Sequence, residues 1–216
     1  KFALAGHHSL VFEKSSNLGG RLSTRKLNDW QIDDGTQYFT VQTPEFSQEV
    51  SRWEDNGWVA QWLFDPWVLE REAFAPSPDQ VQRFVGSPQM DSMLLNTPKG
   101  VSIYQETRID RLERINDQWR LWDENGEHYG LFEAVFLTAP LAQSLALLPE
   151  GAVAEAALRT SNMTPCWVFA IALKEQSGIK ADGVFSDNGL VSWAAKDSSK
   201  PGRKSAHETW VVHFDG

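Results

Sequence analysis

The chain has one cysteine, Cys166, in 216 residues, so it can form neither an internal disulfide nor a zinc site built on paired thiolates. That usage suits a reducing compartment, and a cytoplasmic protein is expected. No apolar run approaches the roughly 20 uncharged residues a membrane helix needs, and the opening KFALAGHH lacks the build of a signal peptide. Basic residues are also scarce: 20 Lys and Arg against 29 Asp and Glu give a formal charge of −9, which opposes approach to phosphate backbones and anionic surfaces. Neither nucleic acid nor a membrane is expected as a partner. The sequence contains no GxSxG, HExxH, P-loop or EF-hand string. His7 and His8 are adjacent, so on a strand they would point to opposite faces and could not share one ion, and no metal is assigned.

What is present reads as a globular chain with mixed α and β structure. Hydrophobic residues are 41% and charged residues 23%, and the 15 Gly and 10 Pro are scattered among apolar segments, which excludes collagen, coiled coil and wholesale disorder. Ten Trp must fill a core, line a pocket, or do both. The start reads as the last turn of a helix, a stop at Gly6, and a short buried strand Ser9 to Phe12 that delivers Glu13 at its C-terminal end. Because domains rarely begin in mid-helix, an upstream strand and turn are expected, and the final strand TWVVHF reads as an equally abrupt end.

Thr43-Pro44-Glu45 is an N-cap, a first-turn proline and an early acid, and it predicts an amphipathic helix with Phe46, Val50 and Trp53 on one face up to Gly57. Residues 58–78 read as irregular with strand pieces, and Met90, Met93 and Leu94 as a short helix entered from Gly86. VSIY, TRIDRLERI and QWRLWDE alternate like strands, and with the Asn125-Gly126 turn they predict an antiparallel meander. The run Ala134 to Leu137 reads as a central strand buried on both faces, stopped by Pro140 and followed by a helix Leu141 to Leu148. A helix from Val153 to Arg159, a buried strand CWVFAIAL, a strand near Leu190 to Ala194 and the terminal strand complete the chain. Cys166 is therefore expected as a packed core thiol rather than a nucleophile.

Glu13 at a strand tip matches the place where dinucleotide-binding folds bond an adenosine ribose, although a solvated glutamate would look the same. The Gly-rich loop of such folds lies about 20 residues earlier, ahead of Lys1. Gly19-Gly20-Arg21 follows, with glycines that admit a pyrophosphate or ribityl chain and a guanidinium for anionic oxygens. DDGTQYFT offers Gly35, Gln37, Tyr38 and Phe39 to a flat heterocycle, or to a turn and a core strand. The Trp-rich stretch Trp53 to Trp67 is either a stacking wall or helix–sheet packing.

LVFEKSSNLGGRLSTR followed by DDGTQYFT resembles the amine-oxidase-like flavoproteins, and specifically the bacterial renalase-like FAD-dependent oxidoreductases. RFVGSPQM, FLTAP followed by LAQ, PCWVFAIAL and VSWAAKDSSKPGR extend the resemblance over nearly the whole chain. The resemblance implies an α/β fold, mixed α+β in detail: a Rossmann-like FAD-binding domain with a β-meander, residues 1–40 and 98–150, interleaved with a substrate domain, residues 41–97 and 151–216. It implies FAD held by Glu13 with Lys14 beside it, by Gly19, Gly20 and Arg21, by Gly35, Gln37, Tyr38 and Phe39, and by Ile109, Thr138 and Ala139. Gly86, Met90 and Trp193 would lie on the substrate side. The implied activity is hydride transfer to the flavin from a small organic donor, a dihydropyridine nucleotide such as an NAD(P)H isomer or an amine, with oxygen as reoxidant. No catalytic acid or base is implied, because the cofactor carries the bond changes. The family's N-terminal GxGxxG turn and its C-terminal segment are not in the 216 residues, so a fragment acting as a binding or interaction domain is the alternative expectation. A nicotinamide-only dehydrogenase would use Glu13 similarly but leaves GGR and DDGTQYF without a role.

Overall fold

The structure is a computed structural model that describes residues 2–27, 30–71, 73–94, 100–152, 158–161, 163–187, 189–204 and 206–215. In chain order the strands are β1 (Ser9–Phe12), β2 (Arg25–Leu27), β3 (Trp30–Ile32), β4 (Val59–Trp62), β5 (Pro66–Glu70), β6 (Ala73–Pro76), β7 (Arg83–Gly86) and β8 (Val101–Tyr104). They continue as β9 (Ile109–Ile115), β10 (Gln118–Asp123), β11 (His128–Phe132), β12 (Cys166–Leu173), β13 (Gly183–Ser186), β14 (Val191–Lys196) and β15 (Glu208–Asp215), and the α-helices are α1 (Pro44–Asp55) and α2 (Leu141–Leu147). The chain divides into two compact units, one of Lys1–Leu18 with Pro98–Thr164 and one of Gly19–Thr97 with Pro165–Gly216. The first break thus falls at Leu18/Gly19, and residues 19–40 pack with the second unit, whereas the sequence reading groups them with Glu13.

In the first unit a short 3-10 turn, Ala3–Ala5, ends at Gly6, whose φ of 88° a residue with a side chain rarely adopts. β1 then pairs in parallel with β8, from Ser9 opposite Val101 to Phe12 opposite Tyr104. The meander is β9–β10–β11, and VSIY, expected within it, lies instead beside β1. Asp123 holds the hairpin end: one carboxylate oxygen accepts the Asn125 and Glu127 N–H groups at 2.9 Å, and the other accepts the Tyr129 hydroxyl at 3.1 Å. The expected central strand at 134–137 is not formed. β1 has β8 as its one ladder neighbour and no described strand bonds to the run, so its apolar side chains lack a sheet to enter, and Phe136 is 67% exposed. α2 follows as expected, with the Ser144 hydroxyl donating to the Ala139 carbonyl at 2.8 Å. Residues 153–157 of the expected helix Val153 to Arg159 lie outside the described residues.

In the second unit α1 begins where Thr43, Pro44 and Glu45 predict, with the Thr43 hydroxyl accepting the Phe46 N–H at 3.3 Å. Val50 is buried, and Phe46 and Trp53 set their rings against Phe39 at 5.8 and 6.4 Å. Thr43→Ala is expected to cost about 1 kcal/mol, read as a shift in the denaturant midpoint at unchanged slope. Stretch 58–78 holds three strands: β4 pairs antiparallel with β7, and β5 and β6 join a six-stranded sheet ordered β12-β15-β14-β13-β5-β6. The expected short helix after Gly86 is a 3-10 turn, Met90–Leu94. A core of Trp62, Val85, Met90 and Ala195 packs with Tyr38, Phe39, Phe64, Met93 and Trp193.

β12 departs from expectation. It is an edge strand, bonded among the described residues to β15 alone, and its odd-numbered side chains stand on one face, where Trp167 is 71% and Phe169 53% exposed. Cys166 is likewise exposed rather than packed in a core. An apolar string carries no mark of whether both of its faces find cover. Among the described residues, no helix is long and apolar enough to cross a membrane.

Candidate functional site

Glu13 leaves β1 at the C-terminal end of the parallel pair. Its N–H donates to the Tyr104 carbonyl at 2.8 Å and its carbonyl accepts the Thr107 N–H at 3.0 Å, so the backbone is held on both sides. One carboxylate oxygen, Oε1, accepts the Ser15 N–H at 2.8 Å in an exposed contact. Among the described residues no cation pairs with this carboxylate. Lys14 is exposed, and Ile109 opens β9 opposite Asp123, two residues beyond Thr107. Thr138 and Ala139 are exposed in the irregular run before α2. His7 and His8 are exposed, and among the described residues no group of three metal-binding side chains gathers.

In the second unit Gly19 and Gly20 both have left-handed backbones, with φ of 110° and 52°, and a side chain at Gly20 would meet nothing within 4 Å. The turn is open at Gly20, whereas a Cβ on Gly19 would lie 3.3 Å from Leu94 Cδ1, and it leads into Arg21, whose side chain is exposed. The Arg21 carbonyl accepts the Thr36 N–H at 2.7 Å, and a Cβ on Gly35 would lie 2.1 Å from that same oxygen. The GGR and DDGTQYFT strings are therefore joined backbone to backbone. Glycine at 35 is required by the approach of Arg21.

Behind this junction lies a dry charged node that the sequence does not announce. The Lys200 ammonium, wholly buried, donates to Asp33 Oδ2 at 2.9 Å, to Gln37 Oε1 at 3.0 Å and to Asp197 Oδ1 at 2.7 Å, so all three of its protons are used. Arg203 also bonds Asp33 Oδ2, and its other terminal nitrogen donates to the carbonyls of Gly86 at 2.9 Å and Pro88 at 2.6 Å. The second Asp33 oxygen accepts the Thr24 hydroxyl at 2.6 Å. Gln37 donates back to the carbonyls of Asp33 and Gly35. Its amide is thus spent on holding the loop, and its role is that of a brace. Asp197 Oδ2 and Arg203 Nε are buried and find no hydrogen-bond partner among the described residues.

Two carboxylates share the cations unequally. Burial pushes the Asp33 carboxyl up, but Lys200 and Arg203, with the Thr24 hydroxyl, outweigh it and hold the group at about 2. For Asp197 burial wins over Lys200, and the neighbouring Asp33 charge pushes the same way, so its carboxyl is raised.

Of the residues expected on the substrate side, Gly86 and Met90 touch the node itself, through the Arg203 guanidinium on the Gly86 carbonyl and the Met90 N–H directed at Asp33 Oδ1 at 3.4 Å. Met90 donates its N–H to the Thr24 hydroxyl at 3.2 Å, and the Gly86 N–H points at the Met90 sulfur at 3.4 Å. Trp193 meets Tyr38 edge-on at 5.8 Å, Phe64 at 5.6 Å and Phe185 at 4.5 Å. The Arg83 guanidinium lies over the Tyr38 and Phe64 rings at 4.8 and 4.5 Å and pairs with Asp79. Gly35, Gln37, Tyr38, Phe39, Gly86, Met90 and Trp193 thus gather in one unit, where Phe39 also packs towards α1 and bridges Phe84. Asp33, Asp197, Lys200 and Arg203 were not foreseen. Their signal was the pair of strings DDGTQYF and KDSSKPGR, each with opposite charges waiting for a partner, but nothing local couples positions 167 residues apart.

Residues 1–53 match the NAD(P)-binding Rossmann-like domain family. Among solved structures the chain is similar to a candidate protoporphyrinogen oxidase from Exiguobacterium, with a TM-score of 0.71 and 12% identity over 94% of this chain and 70% of that one. It is similar to a redesigned putrescine oxidase, with a TM-score of 0.71 and 8% identity over 99% of this chain and 71% of that one. An oxidoreductase from Methanosarcina mazei gives a TM-score of 0.69 and 11% identity over 100% of this chain and 75% of that one. Likeness at such identities concerns the fold, which is the expected one: mixed α and β with a Rossmann-like dinucleotide-binding domain.

Proposed function

We propose that the chain serves an FAD-dependent oxidoreductase of the renalase-like branch of the amine-oxidase-like flavoproteins. In this reading it takes a hydride from a small nitrogenous donor, a dihydropyridine nucleotide or an amine, with oxygen as reoxidant. The observation that carries the reading is Glu13: a carboxylate at the C-terminal tip of a parallel strand, braced by two backbone hydrogen bonds and unpaired with any described cation. A strand-tip acid of this kind offers two acceptor oxygens to the two hydroxyls of an adenosine ribose. The open turn at Gly20 suits close approach of a phosphate or ribityl chain, and Arg21 suits its anionic oxygens. Each of these residues, taken within its own unit, suits the part of the cofactor named for it.

Bound, the flavin supplies a two-electron acceptor, which is the part of the chemistry side chains lack. The protein's share is orientation and exclusion of water. The Asp33–Lys200–Arg203 node fixes the DDGTQYF segment against the Gly86–Met90 segment, and the rings of Tyr38, Phe64 and Trp193 form an apolar wall. The cytoplasm is the proposed compartment, where the exposed Cys166 thiol stays reduced.

The test is FAD retention. Purified with excess FAD and desalted, the protein is expected to keep the visible absorption of a flavin, and Glu13→Ala to bind FAD at least tenfold more weakly, the loss that goes with about 1.5–3 kcal/mol for hydrogen bonds to a charged acceptor. A colourless wild type, or a Glu13→Ala variant with unchanged affinity, would overturn the reading.

A further inference from the structure

We propose that the cleft between residues 61–65 and residues 79–82 is a binding site for a small primary alkylammonium ion, with the Asp65 carboxylate as its counter-ion. The inference stands apart from the flavin reading, because it calls for neither FAD nor turnover. The cleft lies within the second unit and encloses about 380 Å³, inside the range of small-molecule sites. Both of its walls are held in place. On one, the Asp65 N–H donates to Asp182 Oδ2 at 3.0 Å, the Asp65 carbonyl accepts the Asp182 N–H at 3.0 Å, and Asp65 Oδ2 accepts the Trp67 indole N–H at 3.2 Å. On the other, the Val81 N–H donates to Asp79 Oδ1 at 2.8 Å and the Val81 carbonyl accepts from the Arg83 guanidinium at 2.9 Å. The Ser77 N–H donates to the Pro66 carbonyl at 2.8 Å and ties the two walls together, so little ordering is left for a ligand to impose.

Charge decides the ligand. Asp79 is spent on Arg83, whose guanidinium is buried. Asp65 is exposed, and among the described residues nothing bonds its Oδ1 and no cation pairs with the carboxylate. Neither Lys, Arg nor His lines the cleft among the described residues. The cleft therefore presents one carboxylate without a counter-ion, which favours a cation and repels an anion. The rings of Trp62 and Phe64 in the lining act in the same direction, since an aromatic face attracts positive charge. The amides of Gln80 and Gln82 supply acceptor oxygens for the ammonium protons that Asp65 leaves over. Apolar surface is also at hand. Leu63 and Val81 stand on opposite walls, 84% and 54% exposed, and a short aliphatic tail laid between them would cover both.

The test titrates butylamine into the full chain at about pH 7, where the amine is protonated. Binding is followed by ligand-detected saturation-transfer NMR, which reads the small molecule's own resonances and so works alike in every variant. Saturable binding is expected, and butyrate should not compete. Asp65→Asn, which keeps an acceptor for Trp67, should bind butylamine about fivefold more weakly. Val81→Lys changes an exposed side chain, leaves the backbone bonds of its wall intact and places a cation in the cleft, so a loss of similar size is expected. Asp117→Asn removes a fully exposed acid from the other unit and should leave the affinity unchanged, which separates a site from the general pull of a chain with a formal charge of −9. Melting curves show which variants are folded. Absence of saturation, competition by butyrate, a loss below twofold in either folded cleft variant, or an equal loss in Asp117→Asn overturns the proposal. A colourless preparation would sink the flavin reading and leave this result readable.

Discussion

Replacing Lys200 with methionine is expected to lower the stability of the protein by about 3 kcal/mol or more, the cost of stripping one partner from a buried ion pair. The side chain has no exposed surface and gives all three protons to Asp33, Gln37 and Asp197. Methionine fills much of the same volume, so the loss is electrostatic rather than a cavity. Arg203 remains on Asp33, which keeps the cost below that of a bare buried carboxylate. In a chain of 216 residues the melting temperature should fall by about 10 °C. Adding Asp197→Asn to the Lys200→Met variant should recover part of the deficit, because it removes one of the charges left without a cation. A Lys200→Met protein within about 0.5 kcal/mol of wild type would mean that water already reaches the node and screens it.

Acid should weaken the fold through the same residues, with two carboxylates acting in opposite directions. Asp33 sits at about 2 in the folded protein against an ordinary value of 3.8, so the unfolded chain takes up its proton first. The stability it contributes is complete above 3.8 and is lost as pH falls through about 2, a loss of about 2 kcal/mol. Asp197 is raised, so above 3.8 the folded protein gains a proton that the unfolded chain does not yet hold, and mild acid relieves it. His213, with its lowered proton affinity, opposes that relief below its ordinary value of 6.5. Denaturant titrations at about pH 7, 5 and 3 separate these contributions. The Asp197→Asn variant should lose stability more steeply than wild type between the first two points. Lys200→Met should show a smaller acid loss than wild type below 3.8, because Asp33 then has one cation fewer to hold it down. Parallel profiles in all three proteins would contradict the assignment.

Local chemistry was legible wherever a few adjacent residues decide the structure. Thr43-Pro44-Glu45 announces α1, Gly6 ends the first turn, and Asn125-Gly126 closes the β10–β11 hairpin because glycine takes the left-handed φ of 83° there. Glu13 could be placed at its strand tip for the same reason. Pairing partners were not legible. VSIY alternates as a strand in either setting, and nothing in its four residues chooses β1 over the meander. The runs at 134–137 and 166–173 have the composition of buried strands, but burial depends on what lies across the sheet, and there each run meets solvent. The site divides similarly. Gly35, Tyr38, Met90 and Trp193 were picked out, whereas Lys200 and Arg203 went by only as letters of the string VSWAAKDSSKPGR, since ionic side chains of this kind are rarely buried unless paired.

The reach of the Lys200 clamp has a consequence for biosynthesis. Asp33 leaves the ribosome 167 residues before Lys200 does, an interval of about 10–30 s at ordinary translation rates. Throughout that delay the carboxylate has no cation to accompany it into a dry interior, so it must stay hydrated, and the nascent segment around it remains open. The second unit can therefore close only after Lys200 has emerged, and its early strands are natural clients for a holding chaperone.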